Sequence, residues 1–436
     1  MKKCHSSFFS LLLAIILFMG LCTACADDDN LGDNDYGNGN GTYNEEQSNN
    51  GGQNNKKEKE IQINTTVTDN LSESKETDWF EFVVPNDGFI TIDFVHEVLA
   101  SKASSWYMDL YMSDATTGYG RNEGRTYWDI VGNENLTTPK LGIKAGTYYI
   151  RISSPPSYLG DWDDADYSIK VNYTEALDWE TEVNNKYEKA NDLPINAEKN
   201  GTLVESDDCD WYKFEIESDG YITIDFTHEV LASKASSWYM DLYMSDATTG
   251  YGRSEGRTYW DIVGNENLTT PKLGIKAGTY YIRISSPPSY LGDWDDADYS
   301  IKVNFVGNVK WEIENNNSQN KATSISADEN CGGSTQNSDD VDWYVVHTGE
   351  AYRNLALIFA HGFTSTDDTC WKITIYGQDG TTKLGSVDIK GNQLTTYYEF
   401  YSSDSTIYVK VSKGSYNLWQ GGYNTSSTEY SLVVMS

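Results

Sequence analysis

The feature that most constrains the fold of this chain is a long internal repeat. Residues 96–172 and 228–304 pair at an offset of 132, and the 77 pairs differ only at Asn122 and Ser254. An older third copy follows, because residues 179–211 align without a gap on residues 311–343 at the same offset. Self-similarity at a fixed period indicates that one structural unit is repeated in tandem. Three units, predicted at residues 61–175, 176–306 and 307–436, therefore fill this part of the chain and leave no room for a separate catalytic domain.

Each unit has the sequence pattern of short β-strands. Residues 89–94 and 167–172 are rich in β-branched and aromatic side chains, and glycine and proline separate such stretches. In the next strand Trp106 faces inward by alternation and Tyr107 faces outward. Many short strands with turn residues between them predict an all-β chain of three tandem β-sandwich domains.

The N-terminus has the pattern of a secretion signal. Lys2 and Lys3 precede an apolar run at residues 8–22, and small residues close it, which is typical of a signal peptide at residues 1–25. The segment around Cys25 resembles a bacterial lipobox, with Ala24 before the cysteine. The resemblance implies a lipidated Cys25 and an anchor in the bacterial cell envelope. Ordinary cleavage after the next alanine, followed by secretion, is the alternative.

The segment after the signal is acidic and poor in aliphatic side chains. Residues 27–29 are three aspartates, which are either a surface-export signal or the start of a solvated linker. Residues 26–60 offer too little apolar surface to fold and are predicted to form a disordered acidic tether.

The charge of the whole chain narrows the set of partners. The 32 lysines and arginines are outnumbered by 66 aspartates and glutamates, which gives a formal charge of −34. Nucleic acids and anionic lipids bind positive surfaces, so neither is an expected partner. Such a composition suits Ca²⁺, which takes carboxylate and carbonyl oxygens. No HExxH, GxSxG or phosphate-loop pattern occurs, and we expect no enzyme activity.

Four short motifs appear in order in the second and third copies. In the second copy they are residues 180–185, 207–212, 278–284 and 298–301. In this order they resemble the bacterial pre-peptidase C-terminal domain, a jelly-roll-like β-sandwich that is related to the collagen-binding modules of clostridial collagenases. The resemblance implies three tandem jelly-roll-like β-sandwich domains that act as noncatalytic modules.

The same resemblance implies calcium sites in the second and third copies. Several relatives bind Ca²⁺ through a Glu-x-Glu-x-Asn segment and an Asp-x-x-Asp pair. Transferred residue by residue, the implied ligands are Glu180, Glu182, Asn184, Asn185, Asp207, Asp210, Glu312, Glu314, Asn316, Asn317, Asp339 and Asp342. A solvated acidic linker is the alternative. In the first copy Lys75 replaces the first aspartate and only Asp78 remains, so we expect no calcium there.

Aromatic side chains recur at matching places in the first two copies and are candidates for ligand binding. Exposed tyrosine and tryptophan are typical of protein interfaces and sugar-binding faces, and packing within the sandwich is the alternative. The candidates are Tyr107, Tyr127, Trp128, Tyr158, Trp162, Tyr239, Tyr259, Trp260, Tyr290 and Trp294.

These observations together predict a lipid-anchored, surface-exposed array of calcium-stabilised modules. The expected partner is an extracellular matrix protein, a polysaccharide or a neighbouring surface protein. A structural spacer and a hydrolase with an unrecognised site are the rival interpretations. A disulfide between Cys331 and Cys370 is left open, since export permits it.

Overall fold

The structure is a computed structural model that describes most of residues 58–436. The predicted signal peptide, Cys25 and residues 26–57 of the tether lie outside the described residues. The same holds within the repeats for residues 101–102, 114–125, 156–159, 161, 233, 246–257, 289–291, 293, 315, 336–339, 350–352, 363–366, 415, 418–421 and 424–427. Only the backbone is described at residues 58, 126–127, 258–259, 353, 416–417 and 422–423.

The described part of the first copy consists of ten strands. They are β1 (Glu58–Glu60), β2 (Thr66–Asp69), β3 (Thr77–Val84), β4 (Gly88–His96), β5 (Ser104–Tyr111), β6 (Thr126–Val131), β7 (Leu136–Thr137), β8 (Leu141–Ile143), β9 (Gly146–Ser153) and β10 (Tyr167–Glu175).

The second copy has ten strands in its described part and one short 3₁₀ helix, η1 (Tyr187–Lys189). The strands are β11 (Asn191–Asp192), β12 (Glu198–Gly201), β13 (Cys209–Ile216), β14 (Gly220–His228), β15 (Ser236–Tyr243), β16 (Thr258–Val263), β17 (Leu268–Thr269), β18 (Leu273–Ile275), β19 (Gly278–Ser285) and β20 (Tyr299–Gly307).

The third copy has a second 3₁₀ helix, η2 (Gln319–Lys321), and eleven strands in its described part. They are β21 (Thr323–Ser326), β22 (Cys331–Gly333), β23 (Val341–His347), β24 (Arg353–His361), β25 (Thr369–Tyr376), β26 (Lys383–Lys390), β27 (Thr395–Ser402), β28 (Thr406–Lys413), β29 (Tyr416–Asn417), β30 (Gly422–Tyr423) and β31 (Tyr430–Met435).

Each copy contains two main sheets of the same topology, and the third copy adds a two-stranded sheet, β29-β30. In the first copy the sheets have the orders β1-β3-β9-β5-β6 and β2-β10-β4-β7, with β8 also paired to β4. The second copy repeats this arrangement, and the third follows it with β21-β23-β28-β25-β26 and β22-β31-β24-β27. One edge strand of each copy runs parallel to its neighbour: β1 to β3, β11 to β13 and β21 to β23. The chain is thus all-β, with repeated sandwich-like domains, as predicted.

The residues Glu58–Glu60 fall within the range predicted as tether, yet they form β1. They pair with β3 through the backbone, and all three are charged residue types, Glu, Lys and Glu. A short polar edge strand has no apolar periodicity, so the sequence pattern gave no sign of it.

Apolar side chains from both sheets of a copy form its core. Along β4 every second residue is buried, so Ile90, Ile92 and Phe94 face the opposite sheet. A fully buried tryptophan lies at the same place in each copy, at 106, 238 and 371. Each of these rings lies 4.4–4.5 Å from the histidine that ends β4, β14 or β24. No helix among the described residues is long and apolar enough to cross a membrane.

Candidate metal centres

Each of the last two copies brings an acidic segment against the start of a central strand. In the second copy the segment is residues 180–185, just before η1, and the strand is β13. Backbone hydrogen bonds hold the segment in place: the Glu180 amide donates to Asn200 at 2.7 Å, and the Trp211 amide donates to Asn184 at 3.1 Å. Residues far apart in sequence therefore meet at one point.

Three buried carboxylates converge there. One carboxylate oxygen from each of Glu180, Glu182 and Asp210 lies within 4.8 Å of the other two. All three side chains are at least 95% buried. Carboxylates this close and this dry repel one another strongly unless a cation or protons compensate them.

Neighbouring donors orient two of the three carboxylates. Glu180 accepts hydrogen bonds from the Thr202 amide at 2.8 Å and from the Tyr212 hydroxyl at 3.0 Å. Asp210 accepts a bond of 2.5 Å from the Tyr299 hydroxyl, which also lies 2.7 Å from the Tyr212 hydroxyl. The two tyrosines thus fix the orientation of the acids from the core side.

Several other oxygens at this point are buried and have no hydrogen-bond partner. They are Oε1 of Glu182, Oδ1 of Asn184, Oδ1 of Asn185 and Oδ1 of Asp210. Leaving a buried polar group unpaired costs about 1–3 kcal/mol each. Carboxylate and amide oxygens are the ligands that hard divalent cations prefer, so this donor set can bind a metal ion.

Burial also changes how these acids bind protons. Desolvation, reinforced by the Glu180 and Asp208 carboxylates, raises the pKa of Asp210 well above its usual range. Desolvation, with Asp208 and Glu180 nearby, does the same for the pKa of Glu182. It raises the pKa of Asp208 to about 8. A bound cation would oppose each of these shifts, because it favours the charged form.

The third copy repeats this cluster. One carboxylate oxygen from each of Glu312, Glu314 and Asp342 lies within 4.8 Å of the others. Glu312 accepts from the Tyr344 hydroxyl at 2.9 Å, and Asp342 accepts from the Tyr430 hydroxyl at 2.5 Å. Buried Oδ1 atoms of Asn316 and Asp342 lack a hydrogen-bond partner. Desolvation raises the pKa of Glu312 to about 7.

The buried acid of the turn before β13 is Asp208, not the predicted Asp207. Asp207 is exposed, whereas Asp208 is buried and accepts from the Val204 amide at 2.8 Å and from Asn185 at 2.9 Å. The two residues are adjacent in a tight turn, so the motif spacing did not distinguish them.

In the corresponding turn of the third copy, the second of the two adjacent aspartates is again buried. Asp339 lies outside the described residues, and the next residue, Asp340, is buried. Asn317 is half-buried, and its Oδ1 accepts from the Val341 amide at 2.9 Å, so it positions the strand.

The first copy has no cluster of this kind among its described residues. Lys75, on which the predicted contrast rested, is exposed, and the counterpart of Asp208 is Glu76. Glu76 accepts two hydrogen bonds of 2.6 Å from Ser72. The described cation beside Asp78 is instead Lys59, at 2.9 Å.

The aromatic candidates do not form an exposed face in the described structure. Tyr107 and Tyr239 are each only 8% exposed. Trp128, Trp162, Trp260 and Trp294 are half-buried and pack against the cores. The side chains of Tyr127, Tyr158, Tyr259 and Tyr290 lie outside the described residues.

Tyr107 lies on the face opposite the core, as the alternation predicts, but it is not exposed, because β5 is buried on both faces. Beside Tyr107, Asp109 is buried and forms an ion pair of 2.5 Å with Arg151. That guanidinium lies 5.5 Å from the ring of Tyr111 and 5.8 Å from the ring of Trp79. The face opposite the core is therefore a packed layer of aromatic and charged groups.

The two thiols considered for a disulfide do not form one. Cys331 and Cys370 are both buried, and neither is in a disulfide. The Cys331 thiol donates to Gly332 at 3.5 Å, and the Cys370 thiol lies 3.7 Å from the Asp368 carbonyl.

Four tyrosines of the clusters were not predicted from the sequence: Tyr212, Tyr299, Tyr344 and Tyr430. Their signal was available in part. Tyrosine follows the tryptophan after Asp210 and Asp342, whereas Phe80 holds this place in the first copy. At this one position a hydroxyl is therefore present only in the two copies in which it donates to a glutamate.

Comparison with known proteins finds a relative among bacterial collagenases. The chain is 26% identical over 228 residues to Collagenase ColA of Clostridium perfringens (strain 13 / Type A). The overlap covers 49% of this chain and 19% of that protein, so the chain spans about a fifth of the length of this curated relative. No family model matches the chain. The match to Collagenase ColA confirms the predicted resemblance to a family of domains found in collagenases.

Solved structures give matches of low overall similarity. The pre-peptidase C-terminal domain of a collagenase from Bacillus anthracis is 21% identical and covers 26% of this chain and 93% of its own, with a TM-score of 0.20. The CUB1-EGF-CUB2 domain of human MASP-1/3 is 13% identical and covers 55% of this chain and 98% of its own, with a TM-score of 0.16.

Proposed function

We propose that the chain is a noncatalytic, exported array of binding modules in which the second and third copies each hold one Ca²⁺. The observation that supports the ion is the convergence of three buried carboxylates with buried amide and carboxylate oxygens that lack hydrogen bonds. Glu180, Glu182 and Asp210 would supply the charge, with Asn184 and Asn185 as neutral ligands. Ca²⁺ suits such a set because it accepts six to eight oxygens in flexible geometry.

The ion would also hold consecutive copies together. The Glu182 amide donates to Gly142 of the first copy at 3.4 Å. At the next junction a Cβ on Gly274 would lie 1.4 Å from the Glu312 carbonyl oxygen, so only glycine permits this approach. Since Glu182 and Glu312 belong to the clusters, an ion that fixes them fixes the junctions too.

A calorimetric titration of residues 26–436 with CaCl₂ tests the ion. We expect two binding sites per chain. Asp210→Asn and Asp342→Asn should each remove one site, because each deletes a ligand charge and keeps the side-chain shape. Asp78→Asn in the first copy is the matched control and should leave both sites. Three sites, or no binding, would contradict the assignment.

The proposed ligand is an extracellular matrix protein or a polysaccharide at the bacterial surface. The similarity to Collagenase ColA supports a module that works on an extracellular polymer, and tandem copies raise avidity on a repetitive ligand without new contacts. Lipidation of Cys25 would tether the array to the envelope. A pull-down on collagen fibrils and a glycan array, each with CaCl₂ and with chelator, tests the ligand.

A structural spacer is the second candidate, because two observations favour it. The described aromatic candidates are buried or half-buried. The junction between the second and third copies is held by a 2.9 Å ion pair of Lys272 and Glu429 and by the Tyr221 and Trp311 rings, 5.1 Å apart. Failure to bind any collagen or glycan, with the ion present, would favour the spacer. Turnover of peptide, ester or glycoside substrates by purified protein would instead indicate a hydrolase.

A further inference from the structure

Asp78 of the first copy is compensated by a side chain of the chain itself. Lys59 Nζ lies 2.9 Å from Asp78 Oδ1 and also contacts Asp69. The Tyr167 hydroxyl donates to the other oxygen of Asp78. Asp78 is 5% exposed, and a carboxylate so buried requires a partner of opposite charge.

The register of the parallel edge strands places Lys59 at the position that Asn191 and Thr323 occupy in the other copies. Lys59 pairs with Phe80 in β3, Asn191 pairs with Tyr212 in β13, and Thr323 pairs with Tyr344 in β23. The three edge residues therefore occupy one site in three versions of the same fold.

The residue at this edge position holds the acidic segment in two copies and supplies an ammonium group in one. Asn191 exchanges two hydrogen bonds, of 2.8 and 2.9 Å, with the backbone of Thr181. Thr323 Oγ1 accepts from the Ile313 amide at 2.9 Å. Both contacts hold the segment that carries the glutamates, whereas Lys59 reaches the aspartate directly.

A second position changes in step with the first. Phe80 replaces Tyr212 and Tyr344, whose hydroxyls donate to Glu180 and Glu312. The Lys59 ammonium lies 5.5 Å from the Phe80 ring centroid, so the ring adds a cation–π contact. The first copy thus has no tyrosine hydroxyl at this position and has an ammonium group beside its aromatic ring instead.

We propose that the Lys59 ammonium is a built-in cation that takes the place of the divalent ion in the first copy. The first copy then stays folded when divalent ions are removed, while the second and third copies loosen. The contrast with the other copies rests on the proposed calcium sites. The role of Lys59 toward Asp78 does not, and the experiment separates the two.

Hydrogen exchange of residues 26–436, read by mass spectrometry, tests the proposal in each copy separately. Peptides from β3, β13 and β23 differ in sequence, so their protection can be measured side by side. In chelator, β13 and β23 should lose at least tenfold in protection, and β3 should not change. Equal loss in β3 would overturn the proposal.

Substitutions at Lys59 isolate its charge. Lys59→Met should lower the protection of β3 at least tenfold, both with CaCl₂ and with chelator, and should leave β13 unchanged. Lys59→Arg should retain protection, and Lys59→Met combined with Asp78→Asn should recover most of it, because no buried charge is then left unpaired. Unchanged β3 in Lys59→Met, or no recovery in the double variant, would overturn the role of Lys59. If the Lys59 variants behave as expected but chelator leaves the protection of β13 and β23 unchanged, the calcium assignment is wrong and the role of Lys59 stands.

Discussion

Replacing Asp210 by Asn should change stability in opposite directions with and without calcium. Two ionised carboxylates whose oxygens lie within 4.8 Å of each other repel by at least about 3 kcal/mol at an effective dielectric constant of about 20. Partial protonation reduces this cost in the ion-free state. We therefore expect Asp210→Asn to raise the free energy of unfolding of the second copy by about 1–3 kcal/mol in chelator.

With calcium, we expect Asp210→Asn to lower the free energy of unfolding of the second copy instead. Binding to the folded state stabilises by about 2.7 kcal/mol when the free ion is at a hundred times Kd. The variant should lose most of this stabilisation, because Asp210 supplies one of the three carboxylates of the proposed site. Hydrogen exchange of β13 in the full chain, with CaCl₂ and with chelator, measures both effects, and Asp342→Asn should reproduce them in β23.

The reversal is the decisive result. If Asp210→Asn lowers the protection of β13 equally in both conditions, Asp210 is a structural hydrogen-bond acceptor for Tyr299 and the cluster is not a metal site.

Three further predictions concern the pH dependence of stability, a glycine at a junction between copies and the mature N-terminus. In chelator, the second and third copies should lose stability as pH rises from about 4 to about 8. Burial in the folded state raises the pKa of Asp208 to about 8 and that of Glu312 to about 7, so folding favours the protonated acids. Denaturation midpoints should therefore be lower at pH 8 than at pH 5, and CaCl₂ should suppress the difference. Gly274→Ala should weaken calcium binding to the third copy in a calorimetric titration, because its Cβ meets the Glu312 carbonyl; Gly146→Ala, whose Cβ would meet nothing closer than 3.6 Å, should leave it intact. Mass spectrometry of the mature N-terminus should find an acylated Cys25, and an unmodified terminus at residue 27 would contradict lipidation.

The sequence predicted the fold and most of each cluster, for identifiable reasons. The repeat, the strand patterns and the order of four motifs all depend on residue type and local spacing, which a sequence contains directly. Glu180, Glu182 and Asp210 converge because the two motifs that contain them lie on segments joined by backbone pairing.

What the sequence did not reveal depends on three-dimensional surroundings. Alternation correctly assigned Trp106 and Tyr107 to opposite faces of β5, yet it does not indicate whether the second face is covered. Adjacent aspartates in a turn cannot be told apart until the backbone direction is known. The sequence therefore predicted Asp207, whereas the buried residue is Asp208. Lys59 lies in a polar run without periodicity, and only the pairing of β1 with β3 brings it to Asp78.

The near-identity of residues 96–172 and 228–304 has a consequence for the proposed difference in cation dependence between the first two copies. From residues 96 and 228 onward they differ at one of 77 positions, but only 15 of the 35 preceding pairs, residues 61–95 against 193–227, are identical. Tyr167 and Tyr299, which contact the two kinds of site, belong to the shared part. Nearly identical bodies thus follow two different leading segments. A chimera that joins residues 176–227 to residues 96–175 should therefore acquire a metal requirement, although only the leading segment has been exchanged.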